Sequence, residues 1–247
     1  MKTQYIRNVI LERSKINNFS EYPFNIPAIK NLENIEINDK VTFFIGENGT
    51  GKSTLVEAIA IAFGFNPEGG SQNFNFSTYK SHSALSEYIH LSKGILRPKD
   101  GYFLRAESFY NVASNIEELD LIPSYSPPIK DSYGGSLHEC SHGESFFALL
   151  NNRLGGNGLY IFDEPEAALS PQRQLSMLCK INELINKNSQ IIIATHSPIL
   201  MSYPNSIIYN LSDRRIEKIE YEETDHYKVT KNFLNNYKGL LKHLLDD

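Results

Sequence analysis

The segment Gly46-Glu47-Asn48-Gly49-Thr50-Gly51-Lys52-Ser53-Thr54 constrains this chain more than any other, because it joins an apolar run, Val41 to Ile45, to a helix-forming stretch that begins at Lys52. The pattern G-x-x-x-x-G-K-[ST] demands a strand, a tight glycine-rich turn and a helix, in that order. Glycines at 46, 49 and 51 let successive backbone N–H groups turn inward, and the helix adds its positive N-terminal end, so the turn is shaped for phosphate oxygens. Lys52 is placed to bridge the β- and γ-phosphates of ATP and Ser53 to give its hydroxyl to Mg2+. A turn that binds nothing would not need all four fixed positions and both flanking elements together.

A second constraint is Leu159-Tyr160-Ile161-Phe162-Asp163-Glu164, an apolar strand that ends in two carboxylates. In a parallel sheet such a strand end lies at the edge where ligands bind. Asp163 is the candidate for the Mg2+ shell and Glu164, one residue on, for the catalytic base that polarises an attacking water. Two solvated acids opening a loop would look the same in isolation; beside a phosphate turn the functional reading prevails.

The rest of the chain predicts one α/β domain over residues 1–247, long enough to bury a core with its 40% hydrophobic content. Apolar stretches at 4–13 and 32–45 predict strands in an antiparallel N-terminal portion. A helical and loop-rich insert, 64–140, separates the Lys52 helix from Ser141; it predicts a short helix at 83–92, a strand at 101–106 and a helix at 108–119. Strands at 158–162 and 190–195, with a helix between them capped by Ser170 and opened by Pro171, form a βαβ unit and so a mainly parallel central sheet flanked by helices. Segments 205–211 and 214–220 predict an edge pair. The last helix, 226–245, repeats Val229, Phe233, Tyr237, Leu240, Leu241 and Leu244 and is expected to bury one face.

A net charge of −5 gives no broad positive field, so nucleic-acid contact must be local, and the basic clusters at 93–105 and 214–218 are mixed with acids or apolar residues. Cys140 and Cys179 lack metal or redox spacing, which suits a reducing cytoplasm. Lys2, Arg7, Glu12 and Arg13 interrupt the N-terminal apolar residues, and no apolar run approaches the roughly 20 residues of a bilayer span, so no membrane insertion is expected.

Ser141-His142-Gly143-Glu144-Ser145 precedes the apolar Phe146, Phe147, Leu149 and Leu150. Locally this is a capping box, Ser141 capping Glu144 and Glu144 reaching back, with no ligand required. Its position alters the reading: Ser141 comes before the acidic strand, and His196 follows the next strand. That order resembles the P-loop ABC ATPases, and the phrases 44–49, 163–170 and 194–198 resemble most closely the soluble SMC and RecF-like branch, in its small members without coiled coils. The resemblance implies that Ser141, Gly143 and Glu144 act in trans on ATP held by a second copy, that His196 is the switch contacting its γ-phosphate, and that ATP induces a homodimer. The chain departs from the pattern at His142, where glycine is usual, at Glu144, where glutamine is common, and at Ser170, where aspartate is usual. No clear glutamine marks the loop that senses Mg2+; Glu107 is the positional candidate and Gln72 the weaker one. Tyr22 and Phe24 are candidates to stack on adenine, or else core residues.

The expected function is therefore an Mg2+-dependent ATPase working as a soluble switch, with DNA repair, recombination or defence suggested by the resemblance and an effector protein or DNA as possible partner. The alternatives are the nucleotide-binding subunit of a membrane transporter, or a nucleotide-sensing regulatory module with little turnover.

Overall fold

Strands buried on both faces carry unbroken apolar runs rather than an alternating pattern. Three such runs form the middle of the main sheet: β3 (Val41–Ile45), β6 (Gly158–Asp163) and β7 (Gln190–Ala194). The computed structural model describes residues 4–71, 83–122, 127–135 and 142–245, so Gln72, Cys140 and Ser141 lie outside the described residues. The main sheet has six strands; β5 (Asp100–Arg105) flanks β6, and β8 (Ile207–Leu211) and β9 (Ile216–Ile219) complete the order β5-β6-β7-β3-β8-β9. Every neighbouring pair is parallel except β8–β9, the expected edge pair.

Alternation along these strands divides the core in two. Phe44, Leu159, Ile161, Ile192 and Ala194 face α2 (Lys52–Phe63) and a small sheet, while Phe43, Tyr160, Phe162, Ile191 and Ile193 face the other helical layer. That second layer holds α3 (Phe109–Asp120), α4 (His142–Ala148) and α5 (Pro171–Asn186). Ser170 caps α5 and Pro171 opens it, as the sequence predicts.

The small sheet is antiparallel, ordered β2-β1-β4, from β1 (Ile6–Leu11), β2 (Asn34–Glu36) and β4 (Ile89–Lys93). A short helix, α1 (Pro27–Lys30), lies between β1 and β2. The apolar stretch 32–45 is two strands rather than one, because Asn38 turns the chain by accepting the Lys40 N–H at 2.7 Å.

Two expectations fail. Residues 83–92 form only a 3-10 turn, Ala84–Glu87, and then β4: Ile89 and Leu91 are buried while His90 is exposed, a period of two that pairs with Leu11 and Val9 across β1. The last helix, α6 (Asp225–Leu245), buries no residue. Val229 is 66% and Leu244 70% exposed, and a break at Asn236 divides the helix. Among the described residues no helix is long and apolar enough to cross a membrane.

Candidate active site

The loop between β3 and α2 adopts a shape that only glycine permits at its two ends. Gly46 has φ 142°, and a Cβ there would collide with the Leu211 carbonyl; Gly51 has φ 95°, with a Cβ 3.0 Å from Ile26 Cγ2. The Thr50 hydroxyl donates to the Glu47 carbonyl at 2.8 Å. Lys52, only 4% exposed, donates from Nζ to the Gly46 and Glu47 carbonyls, each at 2.9 Å. Burial pushes its pKa down, and Glu164, Asp163 and Glu166 pull against that shift.

Asp163 ends β6 with its carboxyl buried. Burial pushes its pKa up to about 6, opposed by the Arg105 charge and by a hydrogen bond from the Ser53 hydroxyl. Its Oδ2 lies 3.6 Å from Arg105 Nε, and its Oδ1 has no hydrogen-bond partner. A buried carboxylate with one free oxygen, beside the hydroxyl of Ser53, suits a divalent cation whose charge would remove the burial penalty. Mg2+ takes one or two protein oxygens and keeps waters and phosphate oxygens for the rest, so Ser53 and Asp163 fit it.

Glu164 turns the chain at the sheet edge. Its N–H still bonds the Ala194 carbonyl at 2.9 Å, but its backbone is left-handed, φ 52° and ψ 50°. That conformation is costly for a residue with a side chain, and more so before a proline, here Pro165. It sends the carboxylate over the glycine-rich loop, where it lines a 270 Å³ cavity with Tyr22, Asn48, Lys52 and Thr54. Glu164 Oε1 stands 3.6 Å from His196 Nε2. Of the two aromatic candidates, Tyr22 is 64% exposed on the rim of this cavity, its hydroxyl 3.4 Å from Thr54 Oγ1. Phe24 is core, packed on Tyr88 with ring centroids 4.8 Å apart.

These five side chains, Lys52, Ser53, Asp163, Glu164 and His196, come from three strand ends of one sheet edge. Residues 15–127 match the family model described as an AAA domain, and residues 145–201 match the one described as an AAA ATPase domain. A nucleotide-free ATP-binding cassette from an ABC transporter is similar at a TM-score of 0.51 and 17% identity, over 95% of this chain and 96% of that one. The chain has the fold of a P-loop ABC ATPase domain. An inward-facing putative metal-chelate type ABC transporter is similar to this chain at a TM-score of 0.50 and 14% identity, over 92% of this chain and 88% of that one. The SMC head domain from Thermotoga maritima gives 0.46 and 17%, over 87% and 99%. No curated protein matches the sequence significantly.

Gly143, at the start of α4, lies against the loop after β6: a Cβ would collide with Arg173 Nη1 and stand 2.9 Å from the Ala168 carbonyl. Glu144, in the first turn of α4, is exposed. Glu107 follows β5 with its side chain 86% exposed and its Oε2 3.7 Å from Arg105 Nη2; its charge adds to the upward push on Asp163.

Four residues escaped the sequence reading. Arg105 bridges the acids, with Nη1 2.5 Å from Glu57 Oε2 on α2 while its Nε faces Asp163. Glu57 is buried and also accepts the Ser83 N–H at 3.0 Å. Glu166 accepts the His196 N–H at 2.5 Å and so clamps the loop after β7 to the loop after β6. His226, on the first turn of α6, stands 3.2 Å from His196 with Nε2 toward Nδ1. Charged residues inside apolar surroundings, such as Glu57 in the middle of a buried helix face, were the available signal for the first two. Nothing local marked His226.

Proposed function

We propose that this domain binds ATP with Mg2+ on the glycine-rich loop and hydrolyses it, two copies closing over two nucleotides. The observation that carries the reading is the meeting of Lys52, Ser53, Asp163, Glu164 and His196 at one sheet edge, with Asp163 Oδ1 buried and unpartnered.

The backbone N–H groups of Gly49 to Ser53 and the N-terminus of α2 receive the phosphates, and Lys52 exchanges the Gly46 and Glu47 carbonyls for β- and γ-phosphate oxygens. Ser53 and Asp163 hold the cation. When bound, Mg2+ neutralises charge that develops on the transferring phosphoryl group. Glu164 orients and deprotonates the attacking water, and its left-handed backbone puts the carboxylate over the loop rather than along the strand. His196 contacts the γ-phosphate beside it. In the closed pair each copy offers the Ser141, Gly143 and Glu144 turn to the other's ATP in a self-complementary interface. The sequence phrases shared with the SMC and RecF-like ATPases support a soluble switch acting on DNA or on an effector protein in repair, recombination or defence.

The test combines turnover and assembly. Wild type should release phosphate from Mg2+–ATP, and Lys52→Ala should lose ATP affinity by roughly 10- to 100-fold, the worth of a charge-assisted contact. Light scattering of Glu164→Gln with Mg2+–ATP should show a dimer, because the nucleotide binds the closed pair better than the single chain and is not consumed. Adding Ser141→Arg to Glu164→Gln should return it to monomer. A Glu164→Gln protein that stays monomeric at saturating ATP contradicts the shared-site mechanism.

A further inference from the structure

The first turn of α6 enters the nucleotide site although neither family match extends to it. Two contacts fix that turn to the loop carrying His196. The Tyr221 hydroxyl donates to the Pro198 carbonyl at 2.8 Å, and Tyr221 packs on Tyr227 with centroids 4.8 Å apart. Thr224 caps the helix by accepting the Tyr227 N–H at 3.2 Å. His226 is thereby held with its Nε2 3.2 Å from His196 Nδ1, the ring centroids 5.4 Å apart. His196 Nε2 and His226 Nδ1 are buried without hydrogen-bond partners, and both rings line one cavity with Glu47 and Asn48.

Burial and the Lys52 charge push both imidazoles toward the neutral form, and in each case burial is the larger cause. A neutral imidazole has one N–H and one acceptor nitrogen, so one ring must donate to the other. The direction follows from what His196 Nε2 faces. The Glu164 carboxylate, 3.6 Å away, and phosphate oxygens on the loop accept hydrogen bonds only. His196 must therefore carry its proton on Nε2, its Nδ1 must accept, and His226 Nε2 must donate.

We propose that His226 is a positioning residue for His196: its Nε2–H locks His196 in the Nε2–H tautomer that can donate to the γ-phosphate. This rests on the reading of the loop as an ATP site. It makes the C-terminal helix part of the catalytic machinery's support, and it ties the position of α6 to the occupancy of the site.

Two readouts test it. In 15N–1H imidazole correlation spectra of the full chain, with His196→Gln used to assign the signal, wild-type His196 should show the Nε2–H tautomer. His226→Leu should convert it to a mixture, and His226→Gln, which keeps an N–H donor near the same place, should restore it. In turnover, His226→Leu should lower kcat roughly tenfold, the worth of one hydrogen bond in the transition state, with KM within about twofold. His226→Gln should recover most of it. Unchanged His196 tautomer in His226→Leu overturns the proposal, as does equal loss of kcat in the Leu and Gln variants. Absence of turnover in wild type would sink the ATPase reading alone, because the tautomer spectra decide the role of His226 without it.

Discussion

At the N-terminal end of the central sheet, Gln190 is fully buried and makes four hydrogen bonds, accepting the Tyr5 and Ile6 N–H groups and donating to the Ile6 and Asn38 carbonyls. Asp100, at the same end, takes Arg153 Nη1 and the Tyr160 hydroxyl, each at 2.8 Å, and its pKa is lowered: Arg153 and these hydrogen bonds outweigh burial, the largest single influence. The C-terminal end is built differently. Among the described residues seven buried side-chain nitrogens and oxygens lack hydrogen-bond partners; five of them are Arg105 Nε, Asp163 Oδ1, Glu166 Oε2, His196 Nε2 and His226 Nδ1. The other two are the Tyr102 and Tyr133 hydroxyls, on rings packed edge to face 6.4 Å apart. A buried polar atom without a partner costs about 1–3 kcal/mol, so a cluster of them persists where a ligand will complete it. One end of the sheet is finished by the fold; the other holds the polar atoms that the proposed phosphate and Mg2+ would complete.

The sharpest way to break this contrast is to exchange one atom at the unfinished end. Glu164→Gln keeps the size of the side chain but removes the proposed base, and turnover should fall about 1,000-fold in a steady-state phosphate-release assay. Its melting temperature should stay close to that of wild type, since Glu164 is partly exposed and at the sheet edge. A loss of activity matched by a loss of stability would place Glu164 among the structural residues instead.

The opposite pattern is expected at the finished end. Gln190→Leu strands two N–H groups and two carbonyls in the interior and should lower unfolding stability by about 3 kcal/mol in urea titration. Turnover per folded molecule should be unchanged. If it drops as far as in the Glu164 variant, the two ends are not independent.

A smaller effect sharpens the comparison further, because at the unfinished end the native residue is expected to be destabilising. Asp163 has a folded pKa of about 6 against the ordinary 3.8, so its carboxyl favours folding only when protonated: that stability is fully present below pH 3.8 and lost as pH rises through 6. At pH 7.5 without nucleotide, Asp163→Asn should therefore be more stable than wild type, by about 1 kcal/mol, Arg105 keeping its bond to Glu57. The gap should narrow as pH falls from 6 toward 4, while Mg2+-dependent turnover is lost at every pH. A variant less stable than wild type at pH 7.5 would show that the Arg105 contact outweighs burial at Asp163.

Much of this site was legible in the chain because its chemistry is local. The turn from Gly46 to Thr54 is set by the allowed φ of its glycines and by the helix that follows, and Ser170 with Pro171 announces its helix in two residues. The helix expected at 83–92 stopped after the 3-10 turn that Ser83 caps, because the apolar residues that follow alternate and pairing with β1 made them a strand. The apolar stripe of α6 showed an amphipathic helix correctly but could not say what, if anything, it packs against.

By itself the sequence determined the strand-turn-helix glycine-rich loop, the acidic strand end and the parallel direction of the two strands of the βαβ unit, since each depends on one continuous stretch of chain. Only the tertiary structure decided that Arg105 would face Asp163, that Glu166 would clamp the loop of His196, and that His226 would reach the same histidine across 30 residues of chain. Those contacts join strand ends and a terminal helix far apart in sequence. A side chain carries no local mark of a partner that becomes its neighbour only when the sheet has formed.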